Sequence, residues 1–429
     1  MQDLKQKKII TLILVISFSL TLISQLRGLY SWDYFTLWGT HPKYIWSTGN
    51  FWASGLDLPL KFNYQSIWGN LTGSLAYLIG STVYFDSLWA IVNIGMIAAL
   101  FGMLTYYDSN RWGKISFIAL LFAFIPSTIM GQQTWGGYVD LSSALMICLG
   151  LKLFQSEKKK LACLCFIACI LTKMTLWPWI IIIGGSLMLS QLSKQSIKDF
   201  LLYYVLPVVF GLFLMSFLYP KDDAVKSLSF YSLGFKMKPI AYILGIYSKS
   251  FFSINGIMSV IFIYGIVKKE KFVIIYSVFG MLYITLVYLL FLDSTPTEDY
   301  PSIKRYLFPL FLPLMLYIFD QIQSKKILVL ASLSLILSLT RVAENYSTIK
   351  NFKFTYLIDY CSYSRNVCDA RDLIKSKLSG SKKEIKVTAE ELRTAGLSNQ
   401  SGPNVLFYVG LPNNFIITAN DADSEHQNE

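Results

Sequence analysis

Lys5-Gln6-Lys7-Lys8-Ile9-Ile10-Thr11-Leu12-Ile13-Leu14-Val15-Ile16-Ser17-Phe18-Ser19-Leu20-Thr21-Leu22-Ile23-Ser24-Gln25-Leu26 decides the class of this protein. Three lysines stand before an uncharged apolar run from Ile9 to Leu26. A run of about 17–25 apolar residues is long enough to cross a bilayer as a helix. No small-residue cleavage site follows it and many similar runs do, so it reads as an anchor and not a removed leader. By the positive-inside rule Lys5, Lys7 and Lys8 hold the N-terminus in the cytoplasm.

Working outward, the same alternation repeats to about residue 340. Further apolar runs cover about 87–106, 115–130, 141–155, 161–173, 175–190, 201–219, 252–267, 272–292, 304–320 and 327–340. Each expected inner loop carries at least two basic residues near a span end, as in Lys158-Lys159-Lys160 and Lys268-Lys269-Glu270-Lys271. The expected outer loops hold the acids, among them Asp33, Asp140, Asp293, Glu298 and Asp299. The expectation is an all-α polytopic membrane protein of about eleven transmembrane helices.

Composition agrees. Of 429 residues, 54% are hydrophobic and only 15% charged, against about 25% charged in soluble domains. The net charge of +12 is spread as short lysine clusters between apolar runs, so it reports topology and not nucleic-acid binding. Cys148, Cys163, Cys165 and Cys169 lie inside apolar runs and read as small hydrophobic packers. With two histidines in the chain, a zinc or haem site is not expected.

Residues 1–340 read as the transmembrane domain, with a long aromatic first outer loop at 27–85. Residues 341–429 are mixed and polar, and read as a small outward-facing α/β soluble module with a frayed end. The localisation expected is an integral multi-pass protein of a bacterial plasma (inner) membrane.

Candidate chemistry lies where charge meets the expected outer face. Asp33 sits among aromatic residues in Ser31-Trp32-Asp33-Tyr34-Phe35-Thr36-Leu37-Trp38-Gly39-Thr40-His41-Pro42-Lys43. A carboxylate there can act as a general base, or be an exposed acid in an interfacial aromatic belt. Asp33, Asp140 and Glu298, converging, would offer hard oxygen ligands to a divalent cation such as Mg or Mn. Lys173, in Leu171-Thr172-Lys173-Met174, stands between two apolar runs, where an ionisable residue is expensive and marks a site by default. Its other reading is a lysine snorkelling from a tight turn. Arg305, in Lys304-Arg305-Tyr306, suits bidentate phosphate binding or interfacial anchoring.

Four stretches together resemble the GT-C glycosyltransferases, polytopic enzymes that take sugars from polyprenyl-phosphate carriers. Ser31 to Gly39 with Lys43 resembles the first-outer-loop motif of the bacterial branch. Gly137-Tyr138-Val139-Asp140-Leu141 is similar to its Gly-Tyr-Ala-Asp-Leu motif, and Leu171-Thr172-Lys173 to its Thr-Lys turn. Arg305-Tyr306-Leu307-Phe308-Pro309 is similar to its Arg-Tyr-Leu-x-Pro motif. The resemblance implies a catalytic role for Asp33, as base or as an orienter of the acceptor, and Asp140 as a second acidic position, metal-binding in some branches. It implies Lys43, Tyr64, Lys173, Arg305 and Tyr306 as substrate-binding residues. There are departures. Met174-Thr175-Leu176 stands where the family often has Asn-Glu-Gly, and Asn63-Tyr64-Gln65-Ser66 where it has His-Pro-x-Tyr-Pro.

The expected function is an inverting transfer of a sugar from a polyprenyl-phosphate-linked donor to a lipid, glycan or protein acceptor on the outer face, with membrane lipid as the other partner. Two alternatives stay open. A transporter of lipid-linked glycans would put its polar features near the bilayer midplane, often in two repeated halves. An O-antigen-type polymerase or ligase would lean on outer Arg and His residues.

Overall fold

The computed structural model describes residues 2–28, 39–51, 66–80, 85–106, 111–173, 176–218, 254–291, 308–321, 327–353, 365–377, 384–396, 405 and 416–419. The expected site residues Asp33, Tyr64, Glu298, Arg305 and Tyr306 lie outside them.

The apolar runs are helices. In chain order these are α1 (Gln2–Ser24), α2 (Thr40–Thr48), α3 (Ile67–Ile79), α4 (Phe85–Tyr106), α5 (Arg111–Phe124), α6 (Ser127–Thr134), α7 (Asp140–Gln155), α8 (Lys159–Thr172) and α9 (Trp177–Gln191). They continue as α10 (Lys194–Phe200), a π-helical turn (Leu201–Val205), α11 (Leu206–Leu218), α12 (Ile254–Lys268), α13 (Lys271–Phe291), α14 (Phe308–Gln321) and α15 (Ile327–Glu344). Among the described residues four segments are long and apolar enough to cross a membrane: Gln6–Ser24, Phe85–Tyr106, Lys194–Phe217 and Ile327–Glu344. Trp177–Gln191, Lys271–Tyr283 and Phe308–Asp320 are shorter apolar helices.

The bundle is apolar outward and partly polar inward. Leu12, Ile91, Phe217 and Val267 are exposed, while Thr72, Asn93, Gln133 and Ser143 are wholly buried. In water that distribution would be unstable. In hydrocarbon it is the expected one, because lipid solvates the apolar faces and polar side chains must find partners inside. The chain is a helical membrane protein.

α7 is the central helix, buried from Asp140 to Leu151 and packed on α8, α14 and α4. α1 packs on α15 through hydroxyls: Ser17 donates to Ser334 at 3.1 Å and Thr21 meets Ser338 at 2.8 Å. Small side chains let the two helices approach closely, and the hydroxyls find one another instead of lipid. Arg341 of α15 donates from Nη2 to the Phe124 carbonyl (2.7 Å) and from Nε to the Ala123 carbonyl (3.1 Å). It thereby satisfies the last carbonyls of α5, a cation at a helix C-terminus.

The two ends of the bundle are distinct. At one, Lys114 of α5 donates to Asp320 of α14 at 2.8 Å, with Lys152 of α7 at 3.4 Å from the other carboxylate oxygen. At the other lie the C-termini of α1 and α8, the N-terminus of α7, and α6.

One local difference from the sequence reading has a physical reason. The run 115–130 is not one helix: α5 stops at Phe124 and α6 begins after Pro126. Proline lacks the N–H for an α-helical bond and pushes its predecessor out of the α region. In the tail, short strands Glu384–Val387 and Ile416–Ala419 pair in parallel, beside helices Arg365–Lys377 and Ala389–Thr394. Of residues 404–409, only Val405 is among the described residues.

Candidate functional site

α8 ends at Thr172, and Lys173 follows in an extended conformation with its N–H bonded to the Cys169 carbonyl at 2.8 Å. The chain re-enters a helix at Trp177-Pro178, proline being tolerated in the first turn where its missing N–H has no partner to lose. This tight reversal projects the Lys173 ammonium onto Asp140 at the start of α7, and the two form a salt bridge. Their side chains are 9% and 2% exposed. Each charge sits at the helix end whose dipole favours it, the carboxylate at an N-terminus and the ammonium beyond a C-terminus.

Gln133 of α6 braces the pair. Its amide donates to Asp140 Oδ2 at 3.2 Å, and its oxygen accepts the Leu141 backbone N–H at 2.9 Å. One side chain thus orients the carboxylate and satisfies an otherwise orphaned donor of α7. Asn93 of α4 donates to the carbonyls of Gln133 (3.0 Å) and Thr134 (2.8 Å), closing the last turn of α6. Its own oxygen accepts from Trp68 Nε1 at 2.7 Å, which reaches over from α3. Thr134 in turn donates to Gln25 at 3.0 Å, just past the end of α1. The chain Trp68–Asn93–Gln133–Asp140–Lys173 is a buried polar network crossing five elements.

Gly137 explains part of the motif before Asp140. Its φ of +65° is unfavourable for other residues, and a Cβ there would come within 2.0 Å of the Trp89 ring. Trp89 cannot withdraw easily: it is fully buried, stacked on Phe85, and donates from Nε1 to Thr72 at 2.7 Å.

α2 brings a second polar group to α3. Gly69 and Gly73 leave a flat face on α3, and Pro42 lies on it so closely that a Cβ at Gly73 would be 2.7 Å from the Pro42 Cα. The approach seats His41 against Asn70, with Nδ1 at 2.9 Å from Oδ1. Burial holds the His41 imidazole down to about 4, a hydrogen bond to Asn70 opposing. Lys43 is buried too and is pushed down to about 8 by burial, with the Asp86 carboxylate opposing.

Of the residues expected from sequence, Asp140 and Lys173 are brought together and Lys43 lies on α2 near Asp86 of α4. Reading by charge passed over His41, Asn70, Asp86, Asn93 and Gln133. A signal existed for Asn93: an amide inside Ile91-Val92-Asn93-Ile94, mid-span, where a polar side chain needs an internal partner.

Asp140 is a poor cation ligand as it stands. Both oxygens already receive donors, and a divalent ion would meet the Lys173 ammonium. Among the described residues no group of three metal-ligating side chains forms. Beside the network runs an apolar cavity of about 340 Å³ between α1, α4 and α5, walled by Phe18, Ile97, Phe101 and Phe122, with Thr134 and Arg111 also on its lining. No protein-family model, curated protein or solved structure matches this chain.

Proposed function

We propose that this protein is a GT-C-type membrane glycosyltransferase with about eleven spans, moving a sugar from a polyprenyl-phosphate carrier to an acceptor at the outer face. The single observation that carries the reading is the buried Lys173–Asp140 pair, braced by Gln133 and Asn93 at one end of a lipid-facing bundle. Nothing in packing requires two charges there. Replacing such pairs with apolar side chains is often neutral or stabilising, so their presence favours a role in chemistry or specificity. The positive-inside rule, applied to Lys5, Lys7 and Lys8, puts the network at the outer side and the tail 341–429 outside.

In the proposed reaction an acceptor oxygen attacks the anomeric carbon while the bond from that carbon to the phosphate oxygen breaks. The phosphate leaves with the electron pair and the acceptor proton passes to the Asp33 carboxylate. Lys173, fixed by Asp140, presents a preoriented ammonium to the leaving phosphate, charge stabilisation that needs little reorganisation as the bond breaks. Arg305 supplies a second cation, with Lys43, Tyr64 and Tyr306 toward the sugar. The carrier's isoprenoid chain occupies the apolar cavity.

The test is transfer of radiolabelled sugar from polyprenyl-phosphate donors by the purified protein in lipid nanodiscs. Asp33→Asn abolishes transfer and leaves folding intact, whereas full activity in that variant rejects the assignment. A transporter would instead carry the same donor across the bilayer without consuming it, which the same preparation reports.

A further inference from the structure

The cavity between α1, α4 and α5 has a floor of missing side chains. Ala98 and Gly102 lie one turn apart on α4, and both line it. A Cβ added at Gly102 would meet nothing within 4 Å. Glycine weakens a helix interior. In membrane bundles that loss is commonly offset by a second helix packing closely on the glycine. Among the described residues none does so at Gly102, and the space it leaves opens into the cavity.

The size of that space suits one chain. The walls are apolar side chains such as Ile97, Phe101 and Phe122. A cavity of about 150 Å³ with walls of this kind takes a benzene ring, so one of about 340 Å³ takes a chain of roughly a dozen carbons. From Ile94 to Thr105 the cavity follows α4 for about 16 Å, roughly half of the 30 Å hydrocarbon thickness and so the depth of one leaflet.

One end is basic. Arg111, exposed at the first position of α5, is on the lining. α1 and α5 pack together at this end, where Ile10 and Ile13 cluster with Trp112 and Ile115. That brings Lys7 and Lys8, both exposed, to the same side of the bundle. No acidic residue stands in the first turn of α5, and a cation at a helix N-terminus is unfavourable unless an anion joins it. Basic clefts between membrane helices dock lipid phosphates, and the planar guanidinium suits them well.

We infer that the groove holds one anionic glycerophospholipid, its phosphate on Arg111 and one acyl chain lying along Ala98 and Gly102. By the positive-inside rule the lipid belongs to the cytoplasmic leaflet. This site stands whether or not the protein transfers sugars. In the proposed reaction the carrier's isoprenoid chain uses the same space, so it displaces a resident acyl chain.

The test is native mass spectrometry of the full chain from detergent micelles. Phosphatidylglycerol, phosphatidylcholine with the same acyl chains, or polyprenyl phosphate is added. The wild type keeps one phosphatidylglycerol, about fivefold more tightly than phosphatidylcholine, the worth of one cation at a membrane surface. Arg111→Gln removes that preference and still binds both lipids through the chain. Ala98→Leu and Gly102→Phe each fill the floor and abolish the single tight site for both lipids. Gly102→Ala, whose methyl enters open space, keeps it. Thermal midpoints without added lipid stay at the wild-type value in Ala98→Leu, which separates a filled groove from a misfolded protein. Equal retention of the two phospholipids by the wild type overturns the inference. So does an unchanged preference in Arg111→Gln, unchanged retention in both filled variants, or binding of polyprenyl phosphate where no phospholipid is kept.

Discussion

Neutralising the Asp140–Lys173 pair one partner at a time destabilises the bundle far more than removing both charges together. Asp140→Asn keeps the carboxylate's shape and leaves a Lys173 ammonium 9% exposed with no counter-charge from Asp140. Lys173→Met keeps the stem's volume and takes the Lys173 counter-charge away from an Asp140 carboxylate that is 2% exposed. A buried pair broken from one side costs about 3–5 kcal/mol. Removing both charges removes the mismatch between them, and Asn at 140 still meets Gln133, so the double variant costs about 1 kcal/mol. Taking about 3 kcal/mol for each single, the coupling is roughly 5 kcal/mol, strong but within what close buried charges show. At about 2 °C per kcal/mol for a large chain, each single melts about 6 °C lower and the double about 2 °C lower. The assay is the thermal midpoint of the four proteins by intrinsic fluorescence in one nanodisc preparation. A double variant that melts lower by the sum of the singles would show that the two charges are solvated independently and would refute the reasoning.

Two further outcomes follow from the same end of the bundle. Gly137→Ala places a methyl in a left-handed backbone, about 1 kcal/mol, and against the immobile Trp89 ring, about 1–3 kcal/mol more; the thermal midpoint reads the loss, and a Trp89→Leu background returns the steric part but not the backbone part. Acid destabilises the protein through His41, whose pKa is about 4 folded against about 6.5 unfolded. The unfolded chain binds the proton first, so stability is retained above about pH 6.5 and falls as pH drops toward 4, by up to about 3 kcal/mol. Asn70 faces the ring and the buried Lys43 and Asp86 lie near on α2 and α4; His41→Gln removes this limb alone, and melting profiles of variant and wild type that run parallel from pH 7 to 4 contradict it.

The helices were legible because each apolar run is bounded by charge. The expected spans at 87–106, 141–155, 161–173 and 175–190 meet helices Phe85–Tyr106, Asp140–Gln155, Lys159–Thr172 and Trp177–Gln191 within about two residues. The run 115–130 reads as continuous by hydrophobicity alone, which carries no sign of the break that Pro126 imposes. In the site, Asp140 and Lys173 stood out singly because charge beside an apolar run is rare. That they touch was not legible, since it depends on how α6, α7 and the turn after α8 pack. The amides Asn70, Asn93 and Gln133 were passed over for a different reason. An amide carries no charge, and its importance lies wholly in partners that the linear chain does not display.

Those amides also set how far the network reaches. The lipid-facing surface can reward only apolar contact, so it cannot specify one arrangement of helices over another of similar area. The hydrogen bonds inside can. Asn93 accepts from Trp68 and donates to both Gln133 and Thr134, so α3, α4 and α6 share one register. Gln133 passes that register to Asp140 and to the first turn of α7. A displacement of α6 by one ångström would therefore break several bonds in a medium that offers no water to replace them. The position of the Lys173 ammonium is thus determined by residues on four other elements, and a leaving phosphate would meet a cation already held in place.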